Sequence, residues 1–370
     1  MAKQSIMNKS DLTNFLDSGA ILQVGADQYK LLLGPFKPEP FDLALVSGEK
    51  TCLYKPDFWD FLRPDQSLQK AFVGTHEFVI GREQLLDLLN QQEHVDLSVD
   101  WKAVNETDFL DQFDWSQSQF KTGQLSKTVP IISQIGTLLF SKPHLVKTLI
   151  SVLSENHYGS TYGFWQNTKG FLGHTPELIL EWHAEDHVIN TMALAGTLPS
   201  GQQNVAAILN DPKILDEHQI VVNDLFGVLQ KVNPAQEIKV EKLKVLELKF
   251  LCHLQTSIHL PGVDVMDVKK YIQAIHPTAA LGLFPRKSSA YQEFKKFTIQ
   301  SARENFAAPF AFIHKNQIKA VAAIRLFYFD ASGVKMTSGC GVTAGSVLTD
   351  ELKELENKRN SVKRMMGMNV

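Results

Sequence analysis

Two glutamates and a lysine lie on one side of a predicted helix near the C-terminus, in the segment GVTAGSVLTDELKELENKRNSVKRMM. Glu351, Glu354 and Lys358 are spaced i, i+3 and i+7, so at about 100° per residue they fall within about 60° of one another. Leucines interleave with them, which places the charges on the half of the helix expected to be buried. Buried carboxylates are costly unless paired, and oxygen ligands without Cys or His suit Mg²⁺. The pattern predicts either a divalent-cation site or a set of salt bridges on a solvated face.

Three charged residues elsewhere in the chain are further candidates. Glu217, in DPKILDEHQI, lies on another predicted amphipathic helix, where it is either a ligand or a surface residue. Lys127 opens the apolar stretch KTVPII; a buried lysine can serve as a base, although a lysine at a strand edge is more often solvated. Glu177 directly follows a turn proline in GHTPEL. The residue types alone leave the functional and the structural interpretation of each residue open.

Two segments could bind an anion. The glycines of GCGVTAGS, Gly339–Ser346, could present backbone N–H groups to an anion or could form an ordinary turn before the helix. Neither the P-loop nor the dinucleotide-binding pattern is present. Arg325 interrupts the nearly apolar AVAAIRLFYF, where it needs either a core carboxylate or a ligand carboxylate as its partner. LAGT, Leu194–Thr197, predicts a strand that ends in a tight turn.

The stretch HPTAALGLFPR, His276–Arg286, is unusual for a connecting segment. It has too few polar groups for a solvated loop and too many helix and strand breakers for a regular element. The pattern therefore predicts a constrained, nearly apolar loop with a histidine at one end and an arginine at the other.

The composition is that of a globular enzyme: 370 residues, 44% hydrophobic and 21% charged, with a net charge of −3. This charge gives no support for nucleic acid or an anionic membrane surface as a partner. Cys52, Cys252 and Cys340 are far apart, which indicates neither a disulfide framework nor a zinc site and fits a reducing cytoplasm. No apolar run reaches the roughly 18 residues of a membrane span, and the N-terminal residues lack the apolar core of a signal peptide. We expect a cytoplasmic protein without a membrane anchor.

The predicted elements alternate in blocks. Residues 1–118 indicate short strands, turns and one helix at GREQLLDLLNQQ. Beyond them, helices are predicted at HLVKTLISVLSEN, at ILDEHQIVVNDLFGVLQKV and from about Thr349 onwards. Strands are predicted between these helices, including two or three from YGFWQ to LAGT, LKFLCHLQTSIHLP, and a meander with turns near 315–316 and 332–333. Strand blocks with inserted helices predict an α+β fold with a large, mostly antiparallel sheet.

The order of these motifs resembles one known family. TPEL, LAGT, DPKxxxEH, HPTxAxGxxPR, AIR and GxGVxxGSxxxxExxExxxK follow one another as they do in the chorismate-binding enzymes, over roughly residues 119–365. That family includes isochorismate synthases, salicylate synthases, anthranilate synthase component I and aminodeoxychorismate synthase component I. The resemblance implies two interleaved, similar halves with a large antiparallel sheet and flanking helices. It also implies a catalytic region at 119–370 and a variable N-terminal part of the same fold at 1–118.

The resemblance implies a role for each motif residue. Glu217 and Glu354 match the two Mg²⁺ ligands, and Glu351 would support the metal. Arg325 matches the residue that binds the enolpyruvyl carboxylate of chorismate. Glu177 matches the general acid that assists loss of the C4 hydroxyl, and Lys127 matches the base that activates water for attack at C2. The further substrate-binding positions that it implies are Gly196, Thr197, His276, Gly339, Gly341 and Lys358.

Lys127 separates the branches of this family. Its ammonia-using members lack this lysine, so the resemblance favours an isochorismate synthase of menaquinone biosynthesis, with a salicylate synthase as the alternative. An ammonia-using synthase component and a non-catalytic chorismate-binding protein are less favoured. We therefore expect chorismate as the small-molecule substrate, no glutaminase partner, and a monomer or weak dimer.

Overall fold

The computed structural model describes residues 7–41, 50–63, 70–154 and 158–370. Numbered along these residues, the helices are α1 Lys9–Asp17, α2 Arg82–Asn90, α3 Thr107–Lys121, α4 Lys142–Ser154, α5 Gln202–Ile208, α6 Pro212–Val232, α7 Val265–Ile275, α8 Ser288–Phe294, α9 Thr298–Ser301 and α10 Leu348–Met365, with a 3-10 helix at Phe58–Leu62. No helix among the described residues combines the length and the apolar character that a membrane span requires.

The strands of the first half of the chain are β1 Ser18–Gly25, β2 Gln28–Leu33, β3 Lys37–Pro38, β4 Cys52–Tyr54, β5 Ala71–Val73, β6 His76–Gly81, β7 Asp100–Trp101, β8 Ile131–Thr137, β9 Ser160–Gln166, β10 Lys169–Thr175 and β11 Leu178–His183. Those of the second half are β12 Ile189–Pro199, β13 Lys239–Val240, β14 Lys244–Glu247, β15 Leu251–Leu260, β16 Pro309–His314, β17 Gln317–Ala322, β18 Leu326–Asp330 and β19 Gly333–Gly339.

These strands form two large antiparallel sheets, which confirms the α+β prediction. The first has the order β6-β2-β1-β9-β10-β18-β19-β8-β7. The second has the order β13-β15-β12-β11-β17-β16-β4-β5-β3, with β14 also paired to β15. Strands from residues 1–118 pair with later ones in both sheets, since β1 pairs with β9 and β4 pairs with β16. The N-terminal segment is therefore part of both sheets.

Large apolar side chains fill the space between the sheets and the space under the helices. Tyr162, Phe171 and Phe310 belong to the larger core cluster. A second cluster, which includes Trp165 and Phe327, packs the other face of the first sheet against α1, α2 and α4. The alternating burial along β15 shows why LCHLQTSIHL forms a strand with one strongly apolar face. These two cores fix the sheets against each other and against the helices that carry the charged motifs.

The chain passes from one sheet to the other several times, and two of these crossings are adjacent. Between β10 and β11 it crosses at Pro176–Glu177, and between β17 and β18 it crosses at 323–325. The predicted single meander through AVAAIRLFYF is therefore broken, because Arg325 has a left-handed backbone with φ 55°. The backbone N–H of His174 donates to the Arg325 carbonyl at 3.2 Å, so the two crossings lie side by side.

Candidate active site

The two adjacent crossings bring a carboxylic acid and a guanidinium to the edge of one cavity. The carbonyl of Glu177 accepts a hydrogen bond from the backbone N–H of Ala322 at 3.0 Å, three residues before Arg325. Both side chains line the cavity. A residue held in the left-handed region costs roughly 1–3 kcal/mol, which tertiary structure must offset. The hydrogen bond from the His174 N–H to the Arg325 carbonyl, at the neighbouring crossing, helps to offset this cost.

Helices α6 and α10 supply the carboxylates on the other side. Asp211 caps α6 by accepting from the N–H of Ile214 at 3.2 Å. A β-bulge lies at Gly196, between Ala195 and Thr197, where β12 pairs with β15. Gly196 has φ 78°, and a Cβ there would collide with Ile214 of α6. This glycine therefore lets α6 lie directly against β12. The close packing brings Glu217, on α6, to the cavity.

The cavity has a volume of about 80 Å³. Nine of the residues implied by the motif order line it: Glu177, Gly196, Thr197, Glu217, Arg325, Gly339, Gly341, Glu354 and Lys358. Three do not: Lys127, Glu351 and His276. The other residues of its wall include Leu194, His253, Ala280, Leu281, Arg303, Phe306 and Ser338. Residues far apart in sequence therefore converge on one cavity.

Lys127 lies directly beneath this cavity. It is fully buried, and its ammonium nitrogen donates to the carbonyl of Ala279 at 2.7 Å. The same nitrogen lies 3.4 Å from Oε1 of Glu217. A Cβ on Gly341 would lie 2.7 Å from it and would collide with Glu217. Glycine at position 341 therefore leaves room for the Lys127 ammonium and for the Glu217 carboxylate, which lines the cavity. Lys127 itself forms an isolated bridge with Phe284, and regular strand structure begins four residues later, at Ile131.

The remaining carboxylates are each paired with a lysine. Lys358 contacts Glu354 at 2.6 Å and also donates to the carbonyl of Gly339 at 2.9 Å. Glu351 is buried beside the cavity and pairs with Lys213 at 2.7 Å. Lys358 therefore ties α10 to the glycine segment, and Glu351 ties α10 to α6. These links hold the two acidic helices at a fixed spacing.

Burial changes the proton affinity of the acids. Desolvation raises the pKa of Glu177 to about 7, against the opposing effect of Lys127, Lys358 and Arg325 nearby. Desolvation also raises the pKa of Glu217, and the neighbouring Glu354 adds to this rise while Lys127 opposes it. A carboxyl whose pKa is near 7 is suited to donate a proton at neutral pH.

The structure corrects the placement expected for His276. Its ring does not line the cavity; its Nε2 lies 3.1 Å from the carbonyl of Phe58, and it packs edge-on against Phe58 and Phe61. Burial lowers its pKa to about 3, so it is neutral. The HPTAALGLFPR loop does form a cavity wall, but through Ala280 and Leu281. Packing against Phe58 and Phe61, which are distant in sequence, therefore holds the His276 ring outside the cavity.

The motif order did not indicate two other polar residues of the wall. The Nε2 of His253 faces Arg325 at 3.5 Å, and a guanidinium only donates, so its Nδ1 carries the proton and faces the Gly196 carbonyl at 3.2 Å. Arg303 donates to the carbonyls of Leu281 and Phe306 at 2.8 and 3.0 Å. The sequence feature that could have indicated His253 is its position as a polar residue on the buried face of the predicted strand LKFLCHLQTSIHLP.

Replacing Glu177 with Gln is expected to stabilise the protein increasingly as pH rises from about 4.5 to about 7. The folded state keeps the Glu177 proton to a pKa of about 7, whereas an unperturbed glutamate loses its proton near 4.5. The wild type therefore loses stability across this window, and at about 1.4 kcal/mol per pKa unit the loss approaches roughly 3 kcal/mol. Urea unfolding of wild type, Glu177→Gln and the exposed control Glu185→Gln at pH 5 and pH 8 measures the difference. An equal effect of Glu177→Gln at both pH values would show that Glu177 is not held protonated.

Comparison with known proteins places this site in a family. The family described as "Chorismate binding enzyme" matches residues 69–367. The chain therefore belongs to the chorismate-binding enzymes.

Individual relatives agree with this assignment. The isochorismate synthase MenF of Escherichia coli (strain K12) is 23% identical over 346 residues, which covers 91% of this chain and 78% of MenF. The salicylate biosynthesis isochorismate synthase of Pseudomonas aeruginosa is 27% identical over 204 residues, which covers 53% of this chain and 42% of that protein.

Solved structures show the same fold. The menaquinone-specific isochorismate synthase MenF from Escherichia coli superposes with a TM-score of 0.75 at 17% identity, covering 94% of this chain and 88% of MenF. Anthranilate synthase component I from Streptococcus pneumoniae superposes with a TM-score of 0.70 at 14% identity, covering 94% of this chain and 90% of that one. The fold is thus shared by an isochorismate synthase and by anthranilate synthase component I.

Proposed function

We propose that this protein is an Mg²⁺-dependent isochorismate synthase that converts chorismate to isochorismate, for menaquinone biosynthesis. The observation that supports it best is the position of Lys127, fully buried beneath the cavity and 3.4 Å from Glu217. Water needs a base before it can attack carbon, whereas ammonia does not. The isochorismate synthases among the relatives support the same choice.

The carboxylates of the site fit a magnesium ion. Mg²⁺ in enzymes is commonly bound through one or two protein carboxylates, with the substrate and water supplying the other oxygens. Glu217 and Glu354 line the cavity and would hold the ion, with Glu351 behind them. The described residues contain no cluster of three or more His, Cys, Asp or Glu ligands, so the remaining oxygens would come from substrate and water. When bound, the metal supplies positive charge to the ring carboxylate of chorismate.

The wall of the cavity carries charges of both signs. Its acids are Glu177, Glu217 and Glu354, and its cations are Arg303, Arg325 and Lys358. Chorismate carries two carboxylates, so a substrate dianion and a divalent cation that enter together add no net charge. Their joint entry therefore avoids leaving a new unpaired charge in a buried site.

The residues divide the chemistry between two faces of the substrate. Arg325 binds the enolpyruvyl carboxylate, and Gly339, Gly341 and Lys358 contact the substrate from the α10 side. Lys127 removes a proton from water as the water oxygen bonds to C2. The ring double bonds shift, and Glu177 donates its proton to the C4 hydroxyl, which leaves as water. Lys127 then holds the proton that Glu177 has lost, and its return to Glu177 resets the site.

An end-point assay tests this function. Purified protein, chorismate and Mg²⁺ are expected to yield isochorismate as the accumulated product. Salicylate with an equal amount of pyruvate would identify a salicylate synthase instead, and anthranilate formed from added ammonium salt would identify an ammonia-using synthase. Because Lys127 occupies the position of the base, we expect no glutaminase partner. Binding of chorismate with no product under any of these conditions would contradict catalysis.

A further inference from the structure

The cavity that holds the catalytic residues is smaller than its substrate requires. Its volume is about 80 Å³, whereas ligand sites are typically about 300–1,000 Å³. A dicarboxylic cyclohexadiene would fill this space, so we infer that part of the wall moves as it enters. The question is which part of the wall opens, and onto what.

A larger cavity lies directly behind Arg325. Its volume is about 570 Å³, and it lies between residues 247–251 and the C-terminal half of α10, where Ser361 and Met365 line it. Arg325 and Pro176 line both this outer cavity and the catalytic one. The side chain of Arg325 therefore forms part of the partition between the two.

The Arg325 side chain is held by neutral partners alone among the described residues. Its Nη1 donates to Ser361 at 2.9 Å, and its Nη2 faces the neutral His253 at 3.5 Å. It forms no ion pair within 4 Å of a described carboxylate, although Glu354 and Glu177 lie close enough to affect its pKa. A guanidinium has five N–H donors, so most of its capacity for a carboxylate is unused. To bind Arg325 from the outer side, a dicarboxylate would have to replace only the hydrogen bond between Arg325 and the Ser361 hydroxyl.

The outer cavity carries more positive than negative charge. Lys249 and Arg325 line it, together with one carboxylate, that of Glu247. The ammonium of Lys249 lies 5.4 Å from the centroid of Phe250, and the guanidinium of Arg364, outside the lining, lies 5.6 Å from the same ring. A second outer cavity, of about 490 Å³, borders the site at Glu177. That cavity carries Glu181 in addition to Glu177, against Lys319. This wall offers one cation to two carboxyl groups, whereas the cavity behind Arg325 offers two cations to one carboxylate and therefore suits a dianion better.

We propose that the cavity between residues 247–251 and the C-terminal half of α10 is an outer binding site for the dicarboxylate substrate. The substrate is held there by Lys249 and the outer face of Arg325. Arg325 then releases Ser361 and passes the carboxylate into the catalytic cavity. The proposal rests on the proposed function only in that the ligand is a chorismate-like dicarboxylate.

Two methionine replacements distinguish the two routes. Met365 lines the cavity behind Arg325, Met192 lines the cavity at Glu177, and both are half-buried. A tryptophan at either position fills its own cavity and leaves the catalytic residues in place. The ligands are chorismate and the unreactive dicarboxylate 3-(1-carboxyvinyloxy)benzoate, each followed by stopped-flow fluorescence with Mg²⁺ present.

Met365→Trp is expected to slow association and dissociation together, by about tenfold or more, with Kd unchanged, because a blocked path alters rates and not end states. Leu248→Trp, on the opposite wall of the same cavity, should act in the same way. Met192→Trp should leave both rates unchanged. Slower binding in Met192→Trp alone, or unchanged binding in all three variants, would overturn the proposal.

Ionic strength tests the role of charge. Lys249→Gln should lower the association rate several-fold at low salt and flatten its salt dependence, while the exposed control Lys231→Gln should do neither. An identical salt dependence for wild type and Lys249→Gln would remove Lys249 from the outer site. Binding of both ligands without turnover would contradict the synthase function and leave the outer site supported; failure to bind either ligand would overturn both.

Discussion

Lys127→Ala is expected to lower isochorismate formation by about 10²–10⁴-fold, the usual cost of losing a general base, while chorismate affinity changes little. Lys127 donates to the carbonyl of Ala279, lies 3.4 Å from Glu217 and does not line the cavity, so we expect its loss to affect the chemical step and not the binding of the substrate carboxylates. Steady-state kinetics and equilibrium binding of chorismate, measured on the same preparation, separate these two effects.

Lys213→Ala is the matched control for this variant. Lys213 forms another lysine–glutamate pair near the site, but with Glu351, which does not line the cavity. Its loss removes a link between α6 and α10 but no base, so it should cost much less turnover than Lys127→Ala. Similar losses of activity in both variants would mean that any broken ion pair disables the site and that Lys127 is not a base.

Glu354→Gln is expected to abolish measurable turnover, a loss of at least about a thousandfold. In such sites the bound metal stabilises the charge of the transition state by several kcal/mol. The amide keeps the size of the side chain and its hydrogen bond to Lys358, so the fold should be unchanged. Excess EDTA should abolish wild-type activity, and Mg²⁺ should restore it. Calorimetry of Mg²⁺ binding with chorismate present measures the lost affinity directly.

Glu356→Gln provides the comparison on the same helix. Glu356 lies on the exposed side of α10, two residues from Glu354. Its replacement with Gln removes the same charge as Glu354→Gln. We expect it to bind Mg²⁺ and turn over like the wild type. Full activity of the wild type in excess EDTA, or equal losses in Glu354→Gln and Glu356→Gln, would contradict a metal held by Glu354.

Local periodicity was sufficient to predict the elements that carry the acids. The last helix was expected from about Thr349 and begins at Leu348, and its leucine stripe placed Glu351 on the buried side, where it lies. The turns near 315–316 and 332–333 separate β16 from β17 and β18 from β19. These features depend on residues a few positions apart, which a single sequence displays.

The crossings between the sheets could not be predicted in this way. AVAAIRLFYF is apolar on both sides of Arg325, so nothing local indicates that β17 and β18 belong to different sheets. The break exists because Arg325 adopts a left-handed backbone that bonds His174, about 150 residues earlier in the chain. Likewise, the position of His276 is decided by Phe58, which is brought beside it only in the folded chain.

Polar residues on a buried face concealed another element. Helix α3, Thr107–Lys121, was not predicted, because Gln112 and Ser116 lie on its inner face where apolar residues are expected. Gln112 is fully buried, and it donates to the carbonyl of Ile131 at 2.9 Å and accepts from its N–H at 3.1 Å. The buried Gln112 therefore holds α3 against the first residue of β8 through hydrogen bonds. A hydrophobic pattern does not indicate a helix that is packed in this way.

The source of the oxygen atom at C2 tests the central claim most directly. Wild-type protein is supplied with chorismate and Mg²⁺ in ¹⁸O-enriched water, with and without ammonium salt, and the product is analysed by mass spectrometry at early conversion. Attack by water that Lys127 activates predicts isochorismate with a single ¹⁸O atom, at the C2 hydroxyl, whether or not ammonium is present. Unlabelled isochorismate, or an aminated product in the presence of ammonium, would contradict the account.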